Sequence, residues 1–139
     1  MKIDQSDKDK LFELFRSKLY AEVIILSEKL LAEKNDKFVY HIRGLSYFQI
    51  GQARIAITDL VEAASLDNTD ENILIDLGAI YRASGSVDEA ISCYKSAIKI
   101  NKSSVLAHTN LGNALSDKGV FDDAFEHYLK AKELDPKNF

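Results

Sequence analysis

The 139-residue sequence predicts an all-α fold, an α-solenoid built from stacked antiparallel helix pairs. Three observations predict it. Gly44, Gly78 and Gly112 stand 34 residues apart, as do Gly51, Gly85 and Gly119, and these six are all the glycines of the chain. Ala56, Ala90 and Ala124 keep the same spacing, and so do Ala63, Ala97 and Ala131. Between these markers apolar residues recur at helical spacing, and the single proline, Pro136, lies near the end, so no ring interrupts a helix before it.

Residues 1–36 carry two amphipathic stretches, one with Leu11, Phe12, Leu14 and Phe15 and one from Leu19 to Leu31. At a spacing of 34, Leu19 falls on the column of Val87 and Phe121, and Leu26 on that of Tyr94 and Tyr128. Lys10, Ser17 and Glu22 then replace the two glycines and the alanine. This segment reads as a degenerate first repeat that caps the amino end, where one face meets water. Residues 37–70 open with Ile42, Leu45, Phe48 and Ile50 at helical spacing, stop at Gly51 and resume around Ala56 and Ala63. Residues 71–104 repeat the plan with Leu74, Leu77, Ile80 and Tyr81, a stop at Gly85, and Val87, Ala90, Ile91, Tyr94, Ala97 and Ile98. Residues 105–138 end in a helix from about Phe121 to Leu134. Asn35-Asp36, Asn68-Thr69-Asp70, Asn101 and Asp135-Pro136 punctuate the second helices.

Each of Gly51, Gly85 and Gly119 falls where helical periodicity stops, as suits a carboxyl end that needs a left-handed residue. Gly44, Gly78 and Gly112 fall inside first helices, where glycine costs roughly 1 kcal/mol against alanine. Three at one register imply close helix–helix approach, with the Ala56/Ala90/Ala124 column expected to meet them.

These residues resemble the tetratricopeptide repeat family, whose pattern is an aromatic, Leu-Gly, Tyr, then Ala, an aromatic, Ala and Pro. Residues 105–138 match through Leu111-Gly112, Ala124, Tyr128, Ala131 and Pro136, with His108 and Leu115 off-pattern. Residues 71–104 match through Leu77-Gly78, Tyr81, Ala90, Tyr94 and Ala97, with Leu74 and Lys102 off-pattern. Residues 37–70 match through Tyr40, Gly44, Tyr47, Ala56 and Ala63, with Arg43, Leu60 and Asn68 off-pattern. The resemblance implies one domain over residues 1–139, wound as a right-handed superhelix of three clear repeats after the degenerate pair.

Composition narrows the function. The formal net charge is −4 and the lysines and arginines are interleaved with acids, which excludes the clustered basic surface that nucleic acid requires. The longest apolar run, Val23 to Leu26, is far too short for a bilayer, and the first residues lack a signal peptide's apolar run, so a cytoplasmic location is expected. Cys93 is the only cysteine and fits a reducing compartment. His41, His108 and His127 show no zinc-site spacing with each other or with Cys93, and Asp122-Asp123 point apart on a helix. No enzyme, metal or cofactor is expected.

In the resembled family first helices line the concave face. That register implies a groove lined by Phe38, His41, Ile42, Leu45 and Phe48, then Asn72, Asp76, Ala79 and Arg82, then Leu106, Thr109, Asn110, Asn113 and Asp117. Phe38, Ile42 and Leu45 have a second reading, as packing against the degenerate first repeat. Asn110 and Asn113 share one face at i and i+3, and side-chain amides can bond the backbone of an extended peptide. Their setting resembles the asparagine-lined superhelix of O-linked N-acetylglucosamine transferases. Chaperone-binding members grip a carboxylate with Lys, Asn and Arg. Those places here hold His41, Leu45, Asp76, Leu106 and Asn110 in one frame, or Asp7, Leu11, Ile42, Asn72 and Asp76 in the other, so no such clamp is expected.

The leading expectation is a scaffold that binds a peptide or partner protein in this groove. The alternatives are the amino-terminal recruiting segment of a larger glycosyl- or sulfotransferase, and a self-assembling module. For the last, Phe121, Phe125 and Leu129 on the final helix have no following helix to cover them, which leaves two expectations, a chain cut from a longer protein or a homodimer through that helix.

Overall fold

In a computed structural model, residues 3–138 are described, and their helices group into two compact units, Met1–Asn68 and Thr69–Phe139. The first unit holds α1 (Gln5–Arg16), α2 (Tyr20–Leu31), α3 (Lys37–Gln49) and α4 (Ala53–Leu66). The second holds α5 (Glu71–Ala83), α6 (Val87–Ile100), α7 (Val105–Lys118) and α8 (Phe121–Leu134), then a 3₁₀ turn at Pro136–Asn138. There is no strand among the described residues.

First helices and second helices begin differently. Each first helix has a side-chain cap that satisfies orphan N–H groups. Asp4 and Asp7 form a reciprocal capping box on α1, and Asp36, Asp70 and Ser104 cap α3, α5 and α7. The second helices have no side-chain cap. They start instead from one recurrent turn. The N–H groups of Leu19, Gln52, Ser86 and Val120 donate to the carbonyls of Leu14, Tyr47, Tyr81 and Leu115 at 2.8–2.9 Å. This closure needs a left-handed residue just past the helix end. Gly51, Gly85 and Gly119 supply it at φ 83–86°, as their spacing predicts, and Lys18 supplies it in the first pair at φ 59°.

Lys18 stands 33 residues before Gly51, and the cap Asp4 stands 32 before Asp36, so the first pair is two residues shorter than the others and the uniform 34-residue register fails there. Ser17, Lys10, Glu22, Leu19 and Leu26 are therefore not the equivalents of the repeat markers. Lys18, Leu11, Val23, Tyr20 and Ser27 are. Leu11 and Val23 are fully buried at the positions of the mid-helix glycine and the alanine, which makes this pair a genuine member of the series.

The atoms nearest to where a Cβ would stand on the mid-helix glycines belong to a large residue of the second helix. A Cβ on Gly78 would lie 2.6 Å from Tyr94 Cε1, one on Gly112 2.6 Å from Tyr128 Cε1, and one on Gly44 2.2 Å from Leu60 Cδ1. The backbone carbonyl of Ala56 also lies 3.1 Å from the Gly44 position. In the first pair the sizes are exchanged. Leu11 takes the glycine's place and Ser27 the large residue's, and both are fully buried. Ser27 Oγ has no hydrogen-bond partner among the described residues, the cost of a small polar side chain in an apolar slot.

Each unit has its own core. Ile3, Leu11, Val23, Val39 and Ile42 form the first, with Phe15, Leu26, Leu30 and Phe38 against it. Ile75, Ala90, Ile91, Tyr94, Ala97, Ala107, Leu111 and Leu115 are central to the second.

Candidate partner-binding surfaces

In the first unit, Phe38 and His41 lie one helical step apart on α3, and Ile42 and Leu45 continue their side. The facing helix α1 contributes Phe12 and Phe15. These six residues enclose an open pocket of about 170 Å³. An apolar cavity of about 150 Å³ accepts a benzene-sized guest, so this one has room for one apolar side chain. Phe12 is 49% exposed at the pocket mouth, although it is one of the largest apolar side chains of the chain. Phe15 is held edge-on by Tyr20 at a ring separation of 5.6 Å. Phe38 and Ile42 belong to the core beside α1, and with Leu45 they also line this opening.

A second, shallower cavity shares the Phe12 and Phe38 walls and is rimmed by Gln5, Lys8, Asp9 and Lys37. Its charges are matched locally. Lys8 pairs with Asp36 at 3.3 Å and Lys37 with Asp67 at 2.5 Å, while Gln5 donates to Asp9 at 2.9 Å. The rim offers no surplus cation to a carboxylate.

In the second unit the expected residues divide. Asn72, Asp76 and Arg82 lie on α5, and Asn110, Asn113 and Asp117 on α7. Arg82 and Asp117 bind each other, Nε to Oδ2 at 2.5 Å and Nη2 to Oδ1 at 3.2 Å. That fork raises the Arg82 pKa and holds the Asp117 carboxyl below its ordinary value. A ligand reaching either group has this bond to displace. Asn110 has no hydrogen-bond partner among the described residues. Asn113 accepts from the Tyr128 hydroxyl at 2.6 Å, a length that suits O–H···O and is short for N–H···O. Tyr128 thereby fixes the amide with its oxygen inward and leaves Nδ2 to donate. Asn72 is exposed at the start of α5, and Asp76 is half-buried.

On α8, Phe121, Phe125 and Leu129 form an i, i+4, i+8 ridge with exposures of 67%, 61% and 48%. Val87 and Ile91, the register equivalents of Phe121 and Phe125 on α6, belong to the core that α7 completes, whereas Lys95 stands at the place of Leu129.

Two polar pairs inside the helix hairpins were not foreseen. Arg43 on α3 forks onto buried Asp59 on α4 at 2.8 and 2.7 Å and lies over the rings of Tyr40 and Tyr47. The bond to Asp59 raises the Arg43 pKa despite the opposing effect of burial. His108 on α7 meets His127 on α8 with Nδ1 atoms 3.1 Å apart. Both pairs sit on columns that hold Leu77, Leu74 and Cys93 in the repeat between them. Burial, then Glu89, pushes the Cys93 thiol up to about 11, which keeps it protonated and unreactive at neutral pH. Among the described residues no cluster of three His, Cys, Asp or Glu could hold a metal ion, and no helix is long and apolar enough to cross a membrane.

Known proteins share this organisation. Residues 78–119 match the family model described as TPR repeat, and residues 105–138 the one described as tetratricopeptide repeat. The chain is 30% identical to BBSome complex member BBS4 of Bos taurus over 129 residues, 93% of this chain and 24% of that protein. It is 26% identical to the peroxisomal targeting signal receptor of Saccharomyces cerevisiae over 106 residues, 76% of this chain and 17% of that one. Among solved structures, MamA superposes with a TM-score of 0.90 at 25% identity, covering 96% of this chain and 79% of the other. The chain thus spans about a quarter or less of the curated relatives' length.

Proposed function

This chain belongs to the tetratricopeptide repeat family, and from that premise we propose that it is a non-enzymatic scaffold that holds a segment of a partner protein against its first helices. The observation that carries this reading is the pocket between α1 and α3. Phe12 and Phe38 border both cavities of that face, and a folded chain gains nothing by leaving Phe12 half in water. An apolar anchor side chain of the partner fits it, and burying such a side chain contributes about 1.5–3 kcal/mol. In the second unit, Asn110 and the donor amide of Asn113 suit the carbonyl groups of an extended backbone. Asn72, Asp76 and the Arg82–Asp117 fork are the polar surroundings of that face. The matched charges around the second cavity argue against a carboxylate clamp for acidic tails. The free thiol of Cys93 suits a cytoplasmic setting.

Panning a displayed library of random peptides against the wild type and a Phe12→Ser, Phe38→Ser variant tests the reading. Peptides sharing one apolar anchor should bind the wild type and be lost on the variant. Equal recovery of the same peptides by both proteins would remove the pocket from the account.

The exposed ridge of Phe121, Phe125 and Leu129 favours a second reading, self-association through α8. Light scattering of the wild type and of a Phe125→Asp, Leu129→Asp variant decides it. A mass that falls to the monomer in the variant supports the reading, and a monomeric wild type ends it.

A further inference from the structure

We infer that the α7–α8 hairpin contains a proton-sensitive latch, an imidazole–imidazole hydrogen bond between His108 and His127 that favours the hairpin while both rings are neutral and ceases to favour it once acid charges His127. His108 is buried at 6% exposure and His127 is half-buried. Their Nδ1 atoms are 3.1 Å apart and the rings stack at 5.3 Å with 29° between planes.

The surroundings assign the protons. His108 Nε2 lies 3.1 Å from the Lys102 carbonyl oxygen, which can only accept, so Nε2 carries the hydrogen. In a neutral ring this leaves a lone pair on His108 Nδ1. His127 must then donate from its own Nδ1–H, and its Nε2 is the basic atom. One proton taken up at His127 Nε2 leaves the bond in place but sets a charge beside His108.

The groups that face this pair are known. Lys95 of α6 and the neighbouring His108 oppose a charge on His127, and Asp123 and Glu126 of α8 favour it. Burial is the largest influence, and with His108 and Lys95 it lowers the His127 pKa below the ordinary 6.5 against Asp123 and Glu126. The unfolded chain therefore binds more protons than the folded one once the pH falls under 6.5. Stability is undiminished above that value, declines below it, and levels off beneath the folded pKa. Each unit of depression is a tenfold loss in the folding equilibrium constant.

The preceding repeat supplies the control. Leu74 and Cys93 occupy the same two columns 34 residues earlier, and neither titrates in this range. A His108→Leu, His127→Cys variant of the full chain copies that natural pair and leaves His41 in place. Amide hydrogen exchange along α7 and α8 should be followed from roughly pH 7.5 to pH 5 in both proteins, with imidazole ¹⁵N shifts recorded on the wild type. The latch requires the Nε2–H tautomer of His108 and the Nδ1–H tautomer of His127 at the upper pH, a His127 midpoint below 6.5, and protection in α8 that falls with acid in the wild type more steeply than in the variant. A His127 midpoint at or above 6.5, or equal acid responses in the two proteins, would overturn it. The midpoint and the tautomers are read on the wild type, so they decide the matter even if the variant folds poorly.

Discussion

Replacing Gly112 by alanine sets two effects of opposite sign against each other. Alanine is favoured over glycine in a helix interior by about 1 kcal/mol, so on propensity alone the substitution stabilises α7. Its Cβ, however, would lie 2.6, 2.8 and 2.9 Å from Cε1, Cδ1 and Cζ of Tyr128, where ordinary contact begins at 3.4 Å. The ring cannot withdraw freely, because its hydroxyl is bonded to Asn113 at 2.6 Å. Overpacking of this kind costs about 1–3 kcal/mol, and stretching the bond about 1 kcal/mol more. The net expectation is a loss of about 1–3 kcal/mol, or roughly 3–10 °C in Tm. In a Tyr128→Ala background the obstacle is gone, and the same substitution should stabilise by up to about 1 kcal/mol. The two effects together imply a coupling energy of about 2–4 kcal/mol in a double-mutant cycle read by urea unfolding and by exchange of α7 amides. A Gly112→Ala single variant more stable than wild type, or a cycle with no coupling, would refute close approach as the reason for the glycine.

Three further outcomes follow from the same register. Asp59→Ala should cost about 3–5 kcal/mol by stranding the Arg43 guanidinium, whereas Arg43→Leu with Asp59→Cys, which copies Leu77 and Cys93, should be neutral or stabilising on thermal melting. Lys18→Gly should stabilise the first unit by about 1 kcal/mol by relieving its left-handed backbone, while Ser17→Gly, the place a uniform repeat would choose, should not. Asp117→Asn should cost less than about 1 kcal/mol, an effect that high salt erases and that the wild type itself shows as acid protonates Asp117 below its ordinary 3.8.

Much of the helix plan was legible because glycine has two separable uses. At Gly51, Gly85 and Gly119 it takes a backbone angle that side chains resist, and at Gly44, Gly78 and Gly112 it admits a large neighbour. Both uses leave a letter in the sequence. The first pair hid its register because Lys18 accepts the left-handed angle without being glycine, and Leu11 with Ser27 solves the packing by exchanging sizes. Losing that register also hid Phe12 and Phe15, which complete the pocket whose other side, Phe38 and His41, was visible. Arg43, Asp59, His108 and His127 each look like a stray departure when one column is read alone. Read two columns at a time, the polar residues are matched, since a buried polar group needs a partner across the hairpin. Arg82 and Asp117 are 35 residues apart, one more than the period, so no column comparison joins them.

The pocket between α1 and α3 is the centre of the functional account, and methyl NMR tests it most directly. A peptide recovered from panning should shift the Ile42 and Leu45 methyl resonances, and the same peptide with its apolar anchor changed to serine should leave them in place. Binding that moves neither methyl group, or that is indifferent to the anchor, would contradict the account.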